Sequence, residues 1–152
     1  MGITFPSEKQ ISRIRRCMEE LKIQLKLKEY PKKLGSLECH LAEILRAYLM
    51  GCRILILNHI ANRYTRKELE KLKDVLDLLK EKGIAILLLE SSCERVCKGT
   101  DSLYVLRGGR VEGIFERKEY DPGKIKRVML GDYEIPDTRR PSFFMKMIKH
   151  FC

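Results

Sequence analysis

The chain has 152 residues, 44% of them hydrophobic and 34% charged, enough apolar sequence for one compact core and too much for a dominantly disordered polymer. Thirty-one Lys and Arg against 21 Asp and Glu give a net charge of +10, which favours anionic partners such as nucleic acid, an acidic membrane surface or nucleotide phosphates. No apolar run reaches the length of a membrane span and no signal-peptide core opens the chain, so a cytoplasmic protein is expected, with its six cysteines reduced.

Ser7-Glu-Lys-Gln10 has the form of a capping box. Ile11, Ile14, Met18, Leu21 and Leu25 then recur at helical spacing, which predicts one long amphipathic helix ending before Pro31. Its other face carries Arg13, Arg15, Arg16, Lys22, Lys26 and Lys28, a solvated face or an anion-binding stripe. A second helix is predicted from Leu37 to Met50, stopped by Gly51 as a left-handed cap. Ile54 to Leu57 is aliphatic without polar alternation and predicts a strand buried on both faces, as in a parallel sheet.

Thr65-Arg-Lys-Glu68 is another capping box, opening a helix closed by Gly83. Ile84 to Leu89 predicts a second buried strand, and Ser91-Ser-Cys-Glu94 a cap on a short helix to about Cys97 or Lys98. Leu103–Leu106 and Val111–Phe115 flank Arg107-Gly-Gly-Arg110, a hairpin turn. Asp121-Pro122 starts a last helix that ends at Gly131. Beyond it the stretch Phe143–Phe151 reads as a short amphipathic helix, docking on its own domain or on a membrane or partner surface. The expected organisation is a helical region over 1–50, an α/β core over 51–131 and a tail over 132–152.

In this order the elements resemble the C-terminal half of an ATP-binding-cassette (ABC) ATPase, of the type that energises ribose, galactose and other simple-sugar importers. The resemblance runs from about Glu8 to Pro136. Leu34-Gly-Ser-Leu-Glu-Cys-His-Leu-Ala-Glu-Ile44 stands where that family has its LSxGQQ signature loop and following helix. Arg53-Ile-Leu-Ile-Leu-Asn-His-Ile60 stands at its Walker B strand, and Ile86-Leu-Leu-Leu-Glu-Ser-Ser92 at the strand ending in the switch Ser-His. Asp101-Ser-Leu-Tyr-Val-Leu-Arg-Gly-Gly-Arg-Val-Glu-Gly113 follows its hairpin. The fold class implied is α/β: a partial P-loop NTPase fold with a parallel sheet core, helices and a C-terminal β-hairpin.

The functional positions depart from that pattern. Phosphate cradling requires GxxxxGK followed by Ser or Thr, and the sequence contains none; the one Gly-Lys pair, Gly123-Lys124, has Lys118 where the first glycine belongs. Magnesium requires a carboxylate at the end of the Walker B strand, where Asn58 stands, and the attacking water requires an acceptor, where His59 stands. Ser91 occupies the switch position. In the signature loop, Leu34, Gly35, Ser36, Leu37 and Glu38 are out of the family's register: Leu37 is expected to obstruct approach to phosphate, and Ser36 to be the available cap. Cys93 and Cys97, four apart, and His40 beside Cys39 are read as packing residues rather than zinc ligands.

The resemblance therefore implies a degenerate, non-hydrolysing accessory or regulatory binding subunit, with no cofactor expected unless a P-loop partner supplies an ATP and magnesium site. The implied partner is a second copy, or an ABC ATPase or permease subunit, with peripheral membrane association through it. Loss of the family's P-loop strand should leave a strand edge unpaired. Two other readings remain open: half of a split ATPase completed in trans, and a basic anion- or nucleic-acid-binding regulatory module, although no nucleic-acid motif accompanies the charge.

Overall fold

A computed structural model of the chain describes residues 7–27, 29–60, 62–91 and 99–132. The chain divides into two compact units, Met1–Glu90 and Ser91–Cys152. The first contains helix α1 (Glu8–Glu20), helix α2 (Ser36–Leu49), strand β1 (Ile54–Asn58), helix α3 (Arg66–Glu81) and strand β2 (Ala85–Leu89). The second contains strands β3 (Ser102–Arg107) and β4 (Arg110–Glu116) and helix α4 (Pro122–Leu130). The short helix expected after Ser91 and the helix expected at Phe143–Phe151 lie outside the described residues.

Both capping boxes form. The Ser7 backbone N–H donates to Gln10 Oε1 at 2.8 Å, and the Thr65 N–H donates to Glu68 Oε2 at 2.9 Å. The first helix is much shorter than its apolar periodicity predicts, ending at Glu20 rather than before Pro31. Lys22 adopts the left-handed conformation, φ 52°, and the Ile23 N–H returns to the Met18 carbonyl at 2.8 Å. This is a Schellman motif with lysine in the place usually held by glycine. It turns the chain so that Leu21 and Ile23, on either side of Lys22, are both buried.

Strands β1 and β2 pair in parallel, Ile54 opposite Ala85 through Asn58 opposite Leu89. Helices α1, α2 and α3 enclose the core of this unit: Leu41, Ile44, Leu72, Val75 and Leu79 are buried, with Leu55, Leu57, Ile86 and Leu88 of the strands packed against them. The expectation that these strands are buried on both faces is not met. Along each strand burial alternates, and Ile54, Ile56, Leu87 and Leu89 are 48%, 59%, 47% and 41% exposed. The reason is that, among the described residues, helices cover one face of the pair only, so the second apolar set meets no opposing layer there.

In the second unit β3 and β4 form an antiparallel hairpin whose two-residue turn, Gly108-Gly109, has φ of 55° and 76°. Positive φ at both central positions is what a type I′ turn requires. Val105, Phe115, Ile125 and Val128 form its core. The Asp121 carboxylate accepts from the Gly123 and Lys124 N–H groups at 2.8 and 3.2 Å and starts α4. Among the described residues β3 pairs with β4 alone, and β1 with β2 alone. No helix of the described residues is long and apolar enough to cross a membrane.

Candidate functional site

At the C-terminal ends of β1 and β2 the register pairs Asn58 with Leu89, and His59 and Glu90 are the next residues along each strand. Asn58, His59 and Ser91 are exposed. His59 turns the chain out of the sheet in the left-handed region, φ 52°, while its N–H still donates to the Leu89 carbonyl at 2.9 Å. The next residue, Ile60, is buried, and its N–H donates to Glu90 Oε1 at 2.7 Å. The end of β1 thus carries a neutral amide and an imidazole, and the carboxylate at the end of β2 is held by the backbone of the β1 turn. Amide and imidazole can exchange hydrogen bonds with a ligand; neither brings the fixed negative charge that a hydrated divalent cation selects.

The signature-loop positions form the start of α2. Gly35 is the N-cap residue, in extended conformation at φ −67° and ψ 163°, and Ser36 is already helical. The N-cap therefore falls one residue before Ser36. Glu38 reaches back so that its Oε2 accepts the Gly35 N–H at 2.8 Å. Leu37 turns inward to the core, 8% exposed, so its side chain does not obstruct the helix mouth; Gly35 and Ser36 are the exposed residues there. Leu34 is half-buried just before the helix.

One contact links this helix start to the turn after β1. The Tyr64 hydroxyl hydrogen-bonds His40 Nδ1, with the two rings edge to face at 5.7 Å between centroids. Burial pushes the Tyr64 phenol above its ordinary value, and a hydrogen bond with Ser36 opposes that shift. Nothing in the spacing of Ser36, His40 and Tyr64 announces this cluster, because Tyr64 arrives through tertiary packing of the segment between Ile60 and Thr65. A second cluster joins the helix C-termini: Glu20 Oε2 accepts from the Tyr48 hydroxyl at 3.1 Å and from Lys82 Nζ at 3.2 Å. Arg13 Nη2 donates to the Leu49 carbonyl at 2.9 Å, satisfying the end of α2.

Of the six cysteines, Cys17 and Cys52 pack against the first core, as expected, whereas Cys39 is exposed. Cys93, Cys97 and Cys152 lie outside the described residues.

The fold is that of ABC ATPase cassettes, a P-loop NTPase fold. The chain superposes on the ABC-transporter ATP-binding cassette MJ1267 with a TM-score of 0.71 at 21% identity, over 86% of this chain and 50% of that one. On CbiO1 from Clostridium perfringens, part of the ABC transporter complex CbiONQ, the TM-score is 0.65 at 19% identity, over 97% of this chain and 57% of that one.

Sequence comparison adds curated relatives. The chain is 27% identical over 113 residues, 74% of its length, to the galactose/methyl galactoside import ATP-binding protein of Haemophilus influenzae. It is 36% identical over 92 residues, 60% of its length, to a ribose import ATP-binding protein of Rhizobium johnstonii. Its relatives are thus ribose and galactose import ATP-binding proteins. The matches cover 22% and 18% of those relatives, so the chain spans about a fifth of their length. No family model matches the chain.

Proposed function

We propose that the chain is a non-hydrolysing, cassette-derived binding subunit of a simple-sugar import system, recognising a working ATPase or permease subunit, or a second copy of itself, at the cytoplasmic side of the membrane. The observation that carries this reading is the end of β1. Asn58 and His59 stand where nucleotide hydrolysis needs carboxylates, and the carboxylate nearby, Glu90, accepts the Ile60 N–H at 2.7 Å. Losing the acidic positions while keeping the strand, the helix caps and the hairpin is what a fold used for recognition would tolerate. The relatives named for ribose and galactose import supply the transport context.

Titration with magnesium and ATP tests the proposal. The expected result is no binding to the chain alone and no turnover, with an unchanged result for His59→Ala. Magnesium-dependent turnover that His59→Ala abolishes would overturn it.

A second reading, half of a split ATPase, is favoured by the uncovered sheet face at Ile54, Ile56, Leu87 and Leu89. It predicts magnesium-dependent ATP turnover once a P-loop polypeptide is added; Asn58 and Ser91 argue against it.

A further inference from the structure

The connection between α1 and α2 changes character at Leu25. Up to that point its apolar residues turn inward: Leu21 and Ile23 are buried, and Leu25 packs against the first core. Beyond it they turn out. The Glu29 N–H donates to the Lys26 carbonyl at 2.9 Å and the Lys33 N–H to the Tyr30 carbonyl at 2.9 Å, closing two tight turns in succession. Leu27, in the first, is 46% exposed, and Tyr30, which opens the second, is 74% exposed. Three peptide units join their Cα atoms, a reach of at most about 11 Å. Lys22, Lys26, Lys32 and Lys33 around them are exposed as well. The carboxylate of this segment, Glu29, is half-buried and lies 3.5 Å from Lys33, so it offsets a single charge.

An exposed leucine alone is ordinary surface. Two apolar side chains on successive turns, flanked on both sides by lysine, instead match the boundary between water and lipid. A tyrosine ring suits that boundary because its body is apolar and its hydroxyl polar. Lysine stems lie along apolar material while the ammonium reaches the headgroups. The kind of cation separates a membrane from a nucleic acid. Residues 22–33 contain five lysines and no arginine, whereas α1 just before them carries Arg13, Arg15 and Arg16. Nucleic-acid contacts favour arginine, whose planar fork holds a phosphate through two N–H groups. An ammonium is a point charge, suited to the diffuse negative potential of an anionic leaflet. The Leu27 side chain also offers no ring on which a base could stack.

We infer that Leu27 and Tyr30, with Lys22, Lys26, Lys32 and Lys33, form a direct attachment site for an anionic lipid surface. Leu27 and the Tyr30 ring enter the headgroup layer, and the lysines lie against the lipid phosphates and carboxylates. The contact requires neither nucleotide nor a protein partner, and is separate from recognition of an ATPase or permease subunit.

Co-sedimentation of the full chain with vesicles tests this, using phosphatidylcholine and phosphatidylserine in about a three-to-one ratio, and phosphatidylcholine alone. Binding to the mixed vesicles is expected, and binding at least about tenfold weaker to the neutral ones. Lys26→Gln combined with Lys32→Gln should weaken binding about twentyfold, at about fivefold per lysine. Lys67→Gln combined with Lys71→Gln removes the same charge from the exposed face of α3 and should weaken it less than about threefold. Leu27→Gln combined with Tyr30→Ser leaves the net charge unchanged and should weaken it about tenfold. Every substituted side chain is exposed, so the circular dichroism and melting temperature of the parent are expected throughout. Equal losses from the two lysine pairs would overturn the inference by reducing the binding to net charge. Binding that survives both sets of turn substitutions would place the contact elsewhere and overturn it too, as would no binding to the mixed vesicles. Displacement by inorganic phosphate at matched ionic strength would replace the membrane by a free anion. Single-stranded RNA held more tightly than the vesicles, and weakened by the same substitutions, would replace it by a nucleic acid. The vesicle measurement contains no nucleotide, so its failure leaves the magnesium and ATP titration untouched.

Discussion

The Ile60 N–H and the Glu90 carboxylate, 2.7 Å apart, tie the turn that follows β1 to the end of β2. Ile60 is 5% exposed, so its N–H has little access to water as a substitute partner. Glu90→Gln keeps a carbonyl acceptor of the same reach and is expected to cost less than about 1 kcal/mol, whereas Glu90→Ala strands the amide and should cost about 1–3 kcal/mol. Urea denaturation of the two variants checks this. Equal losses would mean that the carboxylate is held by something other than this bond.

Lys22 carries a different kind of strain. Its φ of 52° is a conformation that side chains with a Cβ adopt at a cost, yet it lets Ile23 bond back to Met18 at 2.8 Å. Lys22→Gly should therefore stabilise the chain by about 0.5–1 kcal/mol, the relief of strain exceeding the added freedom of the unfolded state. Lys22→Val should destabilise it by a similar or larger amount. A thermal melt in which glycine lowers the midpoint would contradict the left-handed cap.

The same residue explains where the sequence was and was not legible. Gly51, Gly83 and Gly131 stop three helices as read, because a glycine at that position is visible in the chain. The stop at Lys22 is invisible, since apolar spacing continues past it to Leu25 and only the burial of Leu21 and Ile23 together requires the turn. The strands were legible as strands and as neighbours in a parallel sheet. Their burial was not, because an aliphatic run records what a face is suited to meet and not whether a layer is there to meet it. Asn58, His59 and Ser91 could be placed from the sequence because strand ends follow from strand boundaries. The meeting of Tyr64 with His40, and of Glu20 with Tyr48 and Lys82, depends on helix packing that no local pattern encodes.

The Glu20–Lys82 pair makes a pH prediction of definite sign. The hydrogen bond from Lys82, then that from Tyr48, holds the Glu20 carboxyl below its ordinary value of 4.5. Its contribution to stability is thus fully present above that value and lost as pH falls through the lower folded one. The bond to Glu20 raises Lys82 above its ordinary value of 10.5, so that contribution is present below 10.5 and lost as pH rises through the higher folded value. Between about pH 5 and 10 the pair should add no slope to the stability profile. Glu20→Gln is expected to flatten the acid limb, and the coupling between Glu20→Gln and Lys82→Met to vanish well below the ordinary carboxylate value. Both groups are solvent-exposed, so added salt should shrink the coupling. A coupling that survives acid and salt alike would show that packing rather than charge joins the two residues.

At the end of α4, Gly131 combines two constraints that substitution can separate. Its φ is 89°, and a Cβ built there comes within 2.4 Å of Arg107 Nη1 and 2.8 Å of its Cζ. Gly83 ends α3 at a similar φ of 79° with nothing within 4 Å of a Cβ. Gly83→Ala should therefore report backbone strain alone, about 1 kcal/mol, while Gly131→Ala adds the displacement of the Arg107 guanidinium. That side chain is flexible at its far end, so the added cost is expected to be smaller than the strain itself. In an Arg107→Ala background, Gly131→Ala should fall to the cost of Gly83→Ala. If it does not, the excess comes from the hairpin and helix backbones, which would then have to shift to admit the methyl group, and backbone amide chemical shifts of β3 and α4 would move together.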